Sequence, residues 1–256
     1  VILALWWTSL ALQVLFCVRL ISVGLARTYP RLIACFAALT VESLLLSAFV
    51  SKPLTYTKVW TFTRLAVLTL ELLAVLEIFN RWSGTFPGIG RFGQRLLIVL
   101  CLLAAALSLS TFPIAWSVKG WRLAPYLILL ANRAINAGLA VFLALTLGFF
   151  VKFGGPVAPN LWRHTWAMTG FLIANTVSYF LITTRYYTLG NTLLQGVVLV
   201  ILAYWMYAMR RGGEEVPATA SDEEAWAAAE EMNRQLIEFA ESVRQGRQSR
   251  RGAARR

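Results

Sequence analysis

Long apolar runs constrain this chain more than any other feature. Seven stretches are long and apolar enough to be read as spans: roughly 2–19, 32–50, 59–79, 96–116, 124–151, 165–184 and 189–209. A helix needs about 20 such residues to cross a hydrocarbon core, and only a helix or a closed barrel satisfies its own backbone there. The runs therefore predict an all-α polytopic membrane protein with seven transmembrane helices. Composition agrees: 58% of the 256 residues are hydrophobic and only 14% are charged, against about 25% in a soluble domain.

The net charge of +12 would suggest nucleic acid if the bases were clustered. They lie instead between apolar runs, as juxtamembrane anchors do, so nucleic acid is excluded and the lipid bilayer is the expected partner. Trp6, Trp7, Trp60, Trp82, Trp116, Trp121, Trp162, Trp166 and Trp205 fall near the ends of the runs, where amphipathic rings favour the headgroup level. Alternate loops carry ten basic residues against five. The positive-inside rule then places the amino terminus outside and the carboxyl terminus inside. A bacterial inner membrane is the expected location. The first residue, Val1, already lies in an apolar run. The expectation is that the natural start lies upstream and that this run is a retained helix rather than a cleaved signal peptide.

The composition changes after the bundle, 1–211. Residues 212–220, "GGEEVPATA", read as a linker. Residues 221–245 read as a cytoplasmic amphipathic helix, with Ser221 as N-cap and Glu224 completing a capping box. Ala225, Ala229, Met232, Leu236, Phe239 and Val243 recur at spacings of four and three. That forms one apolar stripe suited to a cytoplasmic protein partner or to pairing in a homo-oligomer. Residues 246–256 read as a basic disordered tail.

Several motifs lack the context their chemistry requires. "GIGRFG" at 88–93 matches a dinucleotide fingerprint but has no strand before it, and is better read as a flexible turn between helices. Lys52, Lys58, Lys119 and Lys152 all lie near loops, so no lysine is placed to hold retinal within a helix. His164 is the single histidine and reads as structural. Cys17, Cys35 and Cys101 have no metal or disulfide spacing and read as small apolar residues. With no nucleophile–base set and no ligand cluster, the expectation is a non-enzymatic protein without a cofactor.

The informative residues are charges inside apolar runs. "LILLANRAINAGLAVFLALTLGFF" carries Arg133 between Asn132 and Asn136. A rise of 1.5 Å per residue puts Glu42 ~16 Å and Glu71 ~15 Å from one membrane edge, and Arg133 ~12 Å from the other. Asn175 falls near the same level. An unpaired intramembrane charge is costly, so such groups pair or face a wet cavity. The expected cluster is Glu42, Glu71, Arg133, Asn132, Asn136 and Asn175, with Arg133 paired to one of the glutamates. The competing reading lets Arg133 snorkel outward along a long helix. Arg64 is expected to snorkel, with a second option of pairing with Glu71 seven residues on. Glu77 and Arg81 read as an ordinary i,i+4 pair.

The segments "LARTYPRLIACFAALTVESLLL" and "LELLAVLEIFNRWSGTFPGIGRFGQRLL" resemble a family of bacterial seven-helix membrane proteins of uncharacterised function. The resemblance covers the first hundred residues and implies a fold, but no catalytic or binding residue. Three functions remain open: a sensory or signalling module with a polar midplane site, a small-solute or proton-coupled transporter, and an accessory subunit of a membrane complex.

Overall fold

The computed structural model describes residues 2–83, 87–110, 123–153, 157–184, 186–214, and 227, 230, 231, 233–235, 237 and 238. The fold is all-helical. Among the described residues up to 214, seven helices run in order: α1 (Ile2–Ser22), α2 (Pro30–Ala48), α3 (Pro53–Ser83), α4 (Pro87–Ser110), α5 (Leu123–Phe153), α6 (Pro159–Thr183) and α7 (Tyr187–Ala208). The described residues within 227–238 are also helical and make an eighth. All six residues of the expected stripe, Ala225, Ala229, Met232, Leu236, Phe239 and Val243, lie outside the described residues. So do 215–220 of the linker and the whole of 246–256.

The expectation of seven transmembrane helices is corrected. Among the described residues five helices are long and apolar enough to cross a membrane: Ala4–Ser22, Pro30–Ala48, Leu123–Phe149, Pro159–Thr183 and Tyr187–Ala208. The apolar stretch of α3 is interrupted by Arg64 and Glu71 and flanked by Lys58, Glu77 and Arg81. In α4 the described apolar part is the shorter helix Gly93–Leu107. The sidedness derived from alternate loops of seven spans, amino terminus out and carboxyl terminus in, falls with that count.

Proline sets the helix starts. Pro30, Pro53, Pro87 and Pro159 each open a helix, where the missing N–H would have had no intrahelical partner. The α1 end is a Schellman motif: Gly24 N donates to Ile21 O, Leu25 N donates to Leu20 O at 2.9 Å, and Gly24 has φ +82°. "GIGRFG" is not a turn. It lies in the first turns of α4, and Gly93 meets the Phe79 ring so closely that an added Cβ would overlap it.

Helices α1, α2, α3, α6 and α7 pack in a ring, each touching the next. On its outside α5 packs against α3 and α6, and α4 against α5. The outward faces are apolar: Leu15 and Val18 on α1, Leu102 and Leu103 on α4, and Val200 and Tyr207 on α7 are all exposed. Such a belt has no place in water and suits lipid. The chain is an integral, multi-pass membrane protein.

The ring is filled with aromatic residues at one end. Trp205 is fully buried and stands against Phe16, Phe36, Phe171 and His164, with ring centroids 5.3–6.5 Å apart. Glu77, read from sequence as a partner for Arg81, instead accepts hydrogen bonds from the backbone N–H groups of Arg31 at 3.2 Å and Leu32 at 3.3 Å. One helix thus caps the start of another, because α2 begins without a side-chain cap of its own. Arg81 donates to Thr28 O and lies over the Tyr29 ring.

The chain does not leave the bundle at Gly212, the expected start of the linker. Asn160 on α6 donates to Arg210 O at 2.7 Å and accepts from Arg210 N at 3.1 Å, while its own N–H donates to Gly213 O at 2.9 Å. Arg163 donates to Ala208 O, Arg19 to Met209 O, and Tyr29 Oη to both carboxylate oxygens of Glu214 at 3.1 Å. Burial and the Glu214 carboxylate push the Tyr29 hydroxyl well above the usual phenol range. Residues 209–214 form a strap across this end of the bundle.

Candidate functional site

Charged groups meet at the centre of the ring, around Arg64. Its Nη2 donates to Glu71 Oε1 at 2.9 Å, its Nε to Asn132 Oδ1 at 2.6 Å, and its Nη1 stands 3.5 Å from Glu42 Oε2. The guanidinium also lies 5.5 Å from the centroid of the Tyr179 ring. A guanidinium has five donors in a fixed fork, and here the fork faces α2, its own helix α3, and α5.

The amides extend the network. Asn136 Nδ2 donates to Asn132 O at 2.8 Å, the main-chain carbonyl one turn before it, and reaches Glu71 Oε2 at 3.4 Å. Asn175 Nδ2 on α6 donates to Asn136 Oδ1 at 3.3 Å. Thr63 Oγ1 donates to Glu42 Oε1 at 3.1 Å. Every member of this chain of contacts is buried apart from Thr63. A buried polar group is tolerable only when paired, and the two asparagines of α5 are paired because they sit one turn apart on the face turned toward α3 and α6.

Of the residues read from sequence, the structure brings Glu42, Glu71, Asn132, Asn136 and Asn175 together. Arg133 is not in contact with either glutamate. It donates to Thr183 Oγ1 at 3.4 Å and lies 5.8 Å from the Phe180 ring. The cation in the cluster is Arg64, expected to snorkel but only 4% exposed. Depth alone favoured Arg133, whereas the direction of the side chain decides. Position 133 is adjacent to Asn132 and so points about 100° away from it around the helix. Arg64 and Glu71 are seven apart on α3 and share a face, which was the available signal.

Part of the cluster, Glu42, Arg64 and Asn175, forms the floor of a cavity. A space of about 160 Å³ inside the ring is lined by Glu42, Arg64, Asn175 and Tyr179, together with residues of α1 and α7 that include Gln13 and Gln195. Two further recesses, of about 640 and 270 Å³, share lining residues with it, and Tyr56 and Asn191 line all three. The cavity therefore continues toward the end of the bundle where α2 meets α3 and α6 meets α7. It is roomy and polar enough to hold water.

His164 is a separate feature at the strap end. It is fully buried, and its Nδ1 accepts a hydrogen bond from Trp205 Nε1 at 3.2 Å. Nε2 has no hydrogen-bond partner among the described residues. Among those residues no three His, Cys, Asp or Glu side chains gather as a metal ligand set. Cys17, Cys35 and Cys101 are free thiols.

No family model matches the chain, and no curated protein or solved structure matches it.

Proposed function

We propose that this chain is a membrane-embedded sensing module of a bacterial inner membrane. A small molecule entering the cavity would alter how α6 and α7 pack, and the strap would carry that change to the carboxyl-terminal segment. One observation carries the reading: the same two helices serve both places. Asn175 and Tyr179 of α6, and Asn191 and Gln195 of α7, line the cavity. Asn160 of α6 holds the strap, which begins where α7 ends, and Arg163 of α6 donates to the last carbonyl of α7. A ligand shifts an equilibrium only through differential contact with two states, and shared helices supply that coupling. The partner that reads the signal is expected to dock on the helical tail beyond the strap.

A tryptophan at Asn191 would partly fill the cavity. Cleavage by trypsin after Arg210 and Arg211, both exposed, then reports the strap. A sensing module gives a cleavage rate changed by about threefold or more, since a coupling of 1 kcal/mol already exceeds that. An unchanged rate in Asn191→Trp, with the protein still folded, would sink the reading.

A second reading, a proton-coupled carrier, is favoured by one feature. Glu42 and Glu71 share a single guanidinium, and an intramembrane carboxylate without a cation of its own is the kind of group that proton relays use. Proton flux into vesicles containing the purified protein, abolished by Glu42→Gln, would select this reading over sensing.

A further inference from the structure

Building on the reading of the cavity as a ligand site, we infer that its ligand is a small organic cation carrying an alkylated ammonium group. The reason lies in how the charges of the floor are distributed. Among the described residues, Glu42 and Arg64 are the charged side chains that line the cavity. Arg64 is largely committed. Its short bonds go to Glu71, which is fully buried behind it, and to Asn132, and its face lies against Tyr179. The guanidinium thus has little left for an anion.

Glu42 is in the opposite position. An ionised carboxylate has about four acceptor sites. Glu42 receives one hydrogen bond, from Thr63, and stands 3.5 Å from Arg64, longer than the 2.9 Å of the Glu71 pair. With both carboxylates ionised, two against one guanidinium leave a surplus negative charge, and the one with the longer ion-pair contact lines the cavity. A cation entering the cavity would complete its coordination.

The walls fit the same ligand. Trp6, Tyr56 and Trp60 line the same cavity as Glu42. Aromatic faces attract alkylammonium groups through their quadrupole, with substantial stabilisation when the site excludes water. Asn191 and Gln195 add neutral hydrogen-bonding groups at the mouth, which suit a hydroxyl or carbonyl on the other end of such a molecule. A hydrated metal ion would gain nothing from the rings. An anion would meet the surplus negative charge.

Choline is the probe, with 3,3-dimethylbutan-1-ol as its uncharged isostere and acetate as the anion. Binding to the full chain in detergent is followed by calorimetry and by tryptophan fluorescence. Choline should bind saturably and at least about tenfold more tightly than the alcohol or acetate, a difference of 1.4 kcal/mol. Glu42→Gln should remove that advantage while leaving the alcohol unchanged. Trp60→Leu, which leaves the ion pairs intact, should also weaken choline, so the inference does not depend on the stability of the Glu42 variant.

Equal binding of choline and the alcohol, or tighter binding of acetate, would overturn the cation assignment. Failure of all three probes would overturn it as well. The variant Asn191→Cys separates that failure from failure of the ligand-site reading. If the cysteine reacts with a small polar thiol reagent, the cavity is open and only the ligand class is wrong. If it does not react, the cavity is closed to solutes and the ligand-site reading fails too.

Discussion

The two ends of the helical ring are built on opposite principles. At the strap end the interior is filled: Phe16, Phe36, Phe171 and Trp205 pack on one another, and residues 209–214 close over them. At the other end the same helices enclose a polar cavity lined by Gln13, Asn191 and Gln195 and floored by charge. Close packing stabilises a bundle and fixes one arrangement of it. A lined space gives up that stabilisation and retains room for a ligand. One set of helices thus does two things: the filled end anchors the ring, and the other end keeps a polar space between the helices.

Mutations should divide along the same line. The largest effect is expected at the boundary, in Arg64. Arg64→Met should strand Glu42 and Glu71 without their cation and lower stability by about 3–5 kcal/mol, as for a broken buried pair. Adding Glu71→Gln should recover much of this, because it removes the more deeply buried charge. Arg133→Met, by contrast, should change the thermal midpoint in detergent far less. If Arg133→Met is the more damaging of the two, the assignment of the cluster's cation is wrong.

Trp205→Ala comes next, at about 3–5 kcal/mol, the cost of emptying a large aromatic site that cannot collapse. Thermal unfolding followed by circular dichroism measures it directly.

A smaller effect is expected in the strap. Gly213 lies so close to the Asn160 side chain that a Cβ would overlap it. Gly213→Ala should therefore cost about 1–3 kcal/mol at most, and its clearer signature is faster cleavage after Arg210 and Arg211. The bundle itself should stay folded. Unaltered cleavage would mean that the strap is not held through Asn160.

The smallest effect belongs to the open end. Asn191→Ala should change stability by no more than about 0.5 kcal/mol, since a partly exposed polar side chain at a cavity wall has water as an alternative partner. A loss comparable to that of Trp205→Ala would erase the distinction between the two ends.

What the sequence determined by itself was class and periodicity. Unbroken apolar runs specify membrane helices because hydrocarbon offers no partner for an open backbone, and prolines specify where several of those helices begin. The positions of Glu42, Glu71, Asn132, Asn136 and Asn175 were also legible, because a polar residue in an apolar run must find company. The count of spans was less legible: charge within α3 and the shorter apolar part of α4 reduce seven to five among the described residues.

Tertiary structure alone decided which groups meet. Depth along a helix is linear in sequence, but facing depends on how helices rotate against one another, and Arg64 and Arg133 exchanged roles on that ground. The same holds for Glu77, whose carboxylate serves the N-terminus of α2 across a helix interface. It holds also for the strap, where Asn160 binds main-chain groups fifty residues away. Backbone groups carry no sequence signature of the side chain that will satisfy them, so contacts of this kind arise only when the helices have packed.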